Sequence, residues 1–272
     1  MKHLQNLHTH STYDDGKQNL EETVKIAIEK GFESIGFSGH SYMHYAPKAS
    51  MSVEGTEDYK QESSTLKEKY KGKIGVFCGL EFDLYSEIDL LGYDYLIGSV
   101  HYLKIEDKYV GFDRREYGLV KNVIDTYFGG NGIEFAKEYY KTLASLPKHG
   151  KFDIIGHFDV VAKHVENGFL FDVNSKEYLD AAIEAAEALS GKIPYFEVNT
   201  GAIPRNYRSH PYPDKRILKE LKRLGFGAVI SSDCHNAEFL DANFSDAEEL
   251  LFECGFKEKY ILTNDGFVPV KL

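Results

Sequence analysis

Six of the chain's eleven histidines fall, with three acidic residues, at the ends of short apolar runs: His8, His10, Asp15, His40, Glu81, His101, His157, Asp233 and His235. Imidazole nitrogen and carboxylate oxygen without thiolate is a donor mixture that suits Zn, Mn or Fe, and it argues against a pure Ca or Mg cage. Nine such donors exceed what one ion takes, so the set points to a multinuclear site. Two spacings add geometry. Side chains alternate along an extended segment, so the His8/His10 pair and the Asp233/His235 pair each turn both donors to one face and leave Thr9 and Cys234 on the other.

Something must carry these donors to one place. Residues 34–39 precede His40, 74–80 precede Glu81, 94–100 precede His101, 153–156 precede His157 and 227–232 precede Asp233, each reading as a strand. In parallel α/β sheets and barrels, ligands gather at the carboxyl ends of strands. Helical periodicity fills the gaps. Asn19 to Glu22 is a capping-box start with Leu20, Val24, Ala27 and Ile28 on the buried face. A solvent-facing helix is expected over 56–70 and another over 132–146. Leu179, Ala182, Ile183, Ala186 and Leu189 mark the next, and Ile217, Leu218, Leu221 and Leu224 the one after. Ser245 to Glu248 caps a last helix ahead of Leu250, Leu251 and Cys254. Seven strand candidates alternating with helices imply an α/β barrel. The longest irregular stretches, 42–55 and 104–130, each follow a ligand motif and read either as substrate-covering segments or as surface decoration.

These residues resemble the polymerase and histidinol phosphatase (PHP) superfamily. The stretch from His8 through Asp15 to Gly16 is similar to its opening motif. Ser38-Gly39-His40, Gly79-Leu80-Glu81, Ser99-Val100-His101, Gly156 to Asp159 and Ser232 to His235 resemble the later motifs, in order. Glu197-Val198-Asn199 and His210-Pro211-Tyr212-Pro213 are similar to the histidinol-phosphate phosphatase branch. Two departures are small: Ser-Gly precedes His40 where many relatives have Thr-Asp, and Cys234 stands where Ala or Ser is common.

The resemblance implies a distorted (β/α)7 TIM-like barrel with its metal site at the C-terminal ends of the strands. It also implies two to three divalent transition-metal ions, Zn, Mn or Fe. His8, His10, Glu81 and Asp233 would hold one ion, His101 and His157 a second bridged by Glu81, and Asp15, His40 and His235 a third. Glu81 and Asp233 are then catalytic as well as ligating. The implied reaction is hydrolysis of a small phosphomonoester, L-histidinol phosphate, in histidine biosynthesis. Two adjacent cations suit an in-line displacement at phosphorus. The competing readings are a PHP hydrolase acting on a nucleotide, sugar phosphate or phosphotyrosine, and a non-catalytic metal-binding regulator.

Other residues have candidate roles around such a site. Arg205 or Arg208 is expected to grip phosphate, because a guanidinium fork matches its oxygens. Glu197 and Asn199 are expected to bind the substrate's amino or hydroxyl group, and His210 to shuttle a proton. Asp159 either orients a ligating imidazole or caps the following turn. Tyr42, Tyr45 and Tyr117 lie in the long irregular stretches, and Tyr102 just ahead of the second. They suit the lining of an imidazole pocket or an apolar lid equally. His3, His44, His149 and His164 read as surface or core histidines.

Composition bounds the rest. At 272 residues and 42% hydrophobic, the chain can bury a substantial core, and residues 1–272 are expected to form one catalytic domain. Against 43 acidic residues stand 32 basic ones, a net charge of −11 that disfavours a nucleic-acid partner. Cys78, Cys234 and Cys254 are too few and too scattered for a disulfide framework, and no apolar run approaches the roughly 18 residues of a membrane span. With no signal-peptide core at the start, the expectation is a cytoplasmic protein without a membrane partner. The sequence does not specify an oligomeric state.

Overall fold

The structure, a computed structural model, describes residues 4–272. In chain order it runs β1 (Gln5–Asn6), α1 (Leu20–Glu29), β2 (Ser34–Phe37), α2 (Val53–Lys69), β3 (Gly75–Asp83) and β4 (Tyr95–Ser99). A hairpin, β5 (Tyr102–Ile105) and β6 (Lys108–Gly111), precedes α3 (Tyr117–Phe128) and α4 (Gly132–Leu143). Then come β7 (Ile154–Ile155), α5 (Lys176–Leu189), β8 (Tyr195–Asn199), α6 (Lys215–Arg223), β9 (Gly227–Ser231), α7 (Phe244–Glu253) and a terminal hairpin, β10 (Glu258–Thr263) and β11 (Gly266–Lys271).

The described residues form one seven-stranded parallel sheet in the order β1-β2-β3-β4-β7-β8-β9. Its two edges meet just past β1 and β9. There the His10 amide donates to the Cys234 carbonyl and the Cys234 amide to the His8 carbonyl, both at 2.9 Å. This is a seven-stranded TIM-like barrel, and its closure seam is where the His8/His10 and Asp233/His235 pairs face each other. At the opposite end, Gln5 clamps the terminal hairpin by bonding both the carbonyl and the amide of Leu262.

The barrel interior is filled by Leu7, Phe77, Tyr95, Ile97, Ile154, Val229 and Leu262, while a larger core lies between the strands and the helices. Tyr95 crosses the interior to donate to the Leu7 carbonyl at 2.5 Å and the Phe37 carbonyl at 3.0 Å. Gly79 makes room for that ring, since a Cβ there would lie 2.2 Å from Tyr95 Cζ.

Helix α1 carries the expected capping box, with Asn19 and Glu22 bonded reciprocally. Ile28, expected inside, is 37% exposed and lies off the Leu20/Val24/Ala27 stripe. Helix α2 starts earlier than expected, capped by Ser52, and buries Thr56, Tyr59, Ser63 and Leu66 rather than facing solvent all round. The 104–130 stretch is ordered as part of the β5–β6 hairpin and α3. Val120, Val123 and Ile124 form a buried helical stripe within the stretch expected to be irregular. Helix α7 begins after Asn243, two residues before the Ser245 cap expected. Among the described residues no helix is long and apolar enough to cross a membrane.

Candidate metal centre

The carboxyl ends of the barrel strands bring all nine donors into one cluster. Glu81, in β3 and 1% exposed, sits at its centre. Its Oε2 lies 3.2 Å from His8 Nε2, 3.6 Å from His10 Nε2 and 2.8 Å from His40 Nδ1. Its Oε1 lies 3.0 Å from His157 Nε2 and 3.3 Å from His101 Nε2. Asp233 Oδ1 faces His10 Nε2 at 3.2 Å and His8 Nε2 at 3.7 Å. Asp15 Oδ1 faces His235 Nε2 at 3.0 Å and His40 Nε2 at 3.8 Å.

Two ligands about 2.0–2.1 Å from a shared tetrahedral ion lie roughly 3.4 Å apart, the spacing found here. Three overlapping groups converge tightly enough to share ions: His10/Asp15/His40/His235, His8/His10/Asp233 and His40/Glu81/His101. His8 Nε2, His10 Nε2, Asp15 Oδ1, His40 Nδ1 and Glu81 Oε2 are buried and lack a hydrogen-bond partner. Orphaned donors are costly in a core unless something charged satisfies them, so the residues fit divalent cations. His40 groups with Asp15 and His235 as expected, and its other nitrogen also faces Glu81, so it stands between two sites.

Without a cation the cluster stores protons. Burial disfavours the imidazolium of His8, His10 and His101, but the facing carboxylates outweigh it and raise all three, His10 to about 10. Burial likewise opposes ionisation of Glu81 and Asp233. The imidazoles around Glu81, and Arg205 and His8 beside Asp233, hold both carboxyls well below their usual range.

Three histidines are fixed by carboxylates behind them. Glu197 Oε2 accepts from His8 Nδ1 at 2.8 Å, Asp14 Oδ2 from His10 Nδ1 at 2.5 Å, and Asp83 Oδ2 from His101 Nδ1 at 3.2 Å. Such contacts fix the tautomer and leave the opposite nitrogen's lone pair for a metal. Asp14 and Asp83 escaped the sequence reading. Asp14 is four residues past His10 and adjacent to Asp15, and Asp83 is two past Glu81, so alternation along β3 was an available signal.

The expected substrate contacts divide. Arg205 lines a cleft of about 410 Å³ together with Asp15, His40, His101, Asp233 and His235. Its Nη2 donates to Asp233 Oδ2 and its Nε to the Gly201 carbonyl, each at 2.7 Å. Gly201 permits this, as a Cβ there would lie 2.6 Å from Arg205 Nη2. The same cleft is lined by Lys17, Asp113, Arg114, Arg115, Lys163 and Tyr207.

Arg208 and His210 are not among its lining residues. They bond each other at 2.8 Å and line a separate recess with Asp159 and Glu166. His210, expected to shuttle a proton, is bonded to Arg208 and lies 3.2 Å from Glu166, outside the residues that line the donor cluster's cleft. Arg208 is instead committed to Asp159 at 3.2 Å. Glu197 and Asn199, expected to bind the substrate's amino or hydroxyl group, also lie outside the residues that line the cleft. Both are fully buried. Besides His8, Glu197 accepts from the His157 amide, Asn199 Nδ2 and Ser231 Oγ, leaving no free oxygen for substrate. Asp159 takes neither expected role, since its Oδ2 accepts from Arg208 and the Asp214 amide.

The Asp233/His235 geometry also differs in origin. Asp233 has φ +45°, so a left-handed turn rather than strand alternation aims its carboxylate. His44 is packed edge-on against Tyr45 and Tyr109, and His164 is buried against the Arg114 carbonyl. His3 lies outside the described residues.

A parallel barrel with carboxylate-backed histidines at its C-terminal mouth defines a metal-dependent hydrolase architecture. The PHP domain model matches residues 6–201, most of the chain, and the chain belongs to that family. The histidinol-phosphatase of Bacillus subtilis (strain 168) is 28% identical over 254 residues, covering 85% of this chain and 92% of that protein. The fold matches the crystal structure of histidinol phosphate phosphatase from Lactococcus lactis subsp. lactis complexed with Zn, L-histidinol and phosphate. That match has a TM-score of 0.72 at 24% identity and covers 97% of this chain and 98% of that one.

Proposed function

We propose that the protein is a metal-dependent phosphomonoesterase that hydrolyses L-histidinol phosphate to L-histidinol and phosphate, the whole chain acting as one domain. The observation that carries this reading is the convergence of nine imidazole and carboxylate donors, six with orphaned buried atoms, on one cleft whose wall holds Arg205. The Bacillus relative supports the substrate.

His8, His10, Asp15, His40, Glu81, His101, His157, Asp233 and His235 hold two to three divalent ions. Such ions, when bound, supply Lewis acidity toward water and phosphoryl oxygens. Arg205 presents its guanidinium to the phosphoryl group from the Asp233 side, and Lys163, Arg114 and Arg115 make the cleft cationic enough to admit a phosphate dianion. Of the acidic residues lining the cleft, Asp15 and Asp233 belong to the donor set, which leaves Asp113 to receive the substrate's ammonium. Asp113 is held by Lys163 at 2.6 Å, a partner that substrate would replace. Free Cys78, Cys234 and Cys254 and the −11 net charge support a cytoplasmic enzyme acting on a small molecule rather than on nucleic acid.

The test is phosphate release from histidinol phosphate by protein as purified, after chelation, and after divalent metal is restored. Activity should vanish and return. Metal binding without any turnover would instead mark a regulator.

A further inference from the structure

Asp83 is saturated by four donors from three segments. Its Oδ2 accepts the His101 amide at 3.0 Å as well as the His101 ring, and its Oδ1 accepts Tyr45 Oη at 2.7 Å and the Tyr85 amide at 3.3 Å. Its side chain is 1% exposed. Tyr45 belongs to the loop between β2 and α2, whose Met43 and Ala49 line the reaction cleft. Its ring stacks on Tyr109 of β6 at 4.0 Å and 15°, and meets Tyr102 of β5 edge-on at 4.9 Å. The loop, the hairpin and a candidate ligand are thus joined through one carboxylate.

We infer that Asp83 is a positioning residue for His101, and that Tyr45 makes this positioning depend on the loop being packed against the β5–β6 hairpin. By accepting from His101 Nδ1, Asp83 fixes the tautomer and aims Nε2 at Glu81 and His157. Tyr45 supplies the hydrogen bond that stops the carboxylate rotating away from the imidazole. When the loop lifts, Tyr45 leaves and His101 loses its brace, so the ion beside it is the one whose affinity responds to loop position. The other braced histidines lack this link: Asp14 is held by the Ser11 and His40 amides, and Glu197 by buried groups of the barrel wall.

This inference rests on the metal reading of the cluster, and it is tested by metal retention rather than turnover. Metal-loaded wild-type, Asp83→Asn and Tyr45→Phe proteins are titrated with a competing chelator, and bound metal is counted at each step. In Asp83→Asn one ion should be held about 10–100-fold more weakly, with the others retained. Tyr45→Phe, which keeps the ring stack and loses only the hydroxyl, should weaken the same ion by a smaller factor. The melting temperature of chelated Tyr45→Phe protein should fall by only a few degrees, the loss of one buried hydrogen bond. Retention unchanged in both variants overturns the inference, as does parallel weakening of every ion with a larger fall in melting temperature after chelation. A wild-type protein that binds no metal would overturn the metal reading itself.

Discussion

Arg205 Nη2 lies 2.7 Å from Asp233 Oδ2, while the other oxygen of that carboxylate faces His10. One guanidinium therefore borders the cleft and steadies a candidate ligand. Replacing Arg205 with Met should lower kcat/KM by about 2–4 kcal/mol of transition-state stabilisation. The same kinetic assay applied to Arg208→Met should show the smaller loss, because Arg208 is spent on Asp159. Equal losses would contradict the placement of Arg205 alone at the cleft.

Glu81 offers one oxygen to His8, His10 and His40 and the other to His101 and His157. Glu81→Gln should therefore deplete two ions together, whereas a non-bridging ligand would cost one. Elemental analysis of the purified variant beside wild type decides this, and an unchanged metal count would show that Glu81 does not bridge.

Metal uptake should release protons. His10 in the metal-free cluster is raised to about 10, because its carboxylate neighbours Asp14 and Asp233 overcome burial, so at neutral pH it is protonated and must lose that proton to ligate. Affinity should consequently climb as pH rises toward about 10 and weaken below it. Titrating chelated protein with metal in buffers of different ionisation enthalpy measures the proton count. Zero release at pH 7 would mean the imidazoles are already neutral.

Tyr95 fills the barrel where Gly79 leaves space. Gly79→Ala should cost about 1–3 kcal/mol of stability by overpacking, read from denaturant unfolding of the metal-free protein. A stability equal to wild type would show that the interior gives way there.

The barrel and its donor set were legible because each His or Glu ends an apolar run, and a parallel barrel gathers strand ends at one mouth. Strand alternation does not say how deep a side chain lies. Glu197 follows the same pattern as Glu81, yet four donors enclose it beneath the cluster. Asp14 and Asp83 were hidden for the converse reason, as residues beside ligands that act on the far side of an imidazole. Arg208 and His210 sit close in sequence to Arg205, but the intervening chain includes Asn206 at φ +57° and leads into the other recess. The β5–β6 hairpin and α3 were obscured by the tyrosines and glycines scattered through residues 104–130.

If Asp113 receives the ammonium of the substrate, Asp113→Asn should cut kcat/KM for histidinol phosphate strongly while leaving an aryl phosphate nearly unchanged. A fall shared by both substrates would assign Asp113 to holding Lys163 instead.

The most direct measurement is a turnover panel with metal-loaded protein on histidinol phosphate, a nucleoside monophosphate, a sugar phosphate and phosphotyrosine. Histidinol phosphate should have the highest kcat/KM by orders of magnitude, and chelation should abolish its hydrolysis. Hydrolysis of any of the others at an equal or higher efficiency would contradict the assignment of substrate.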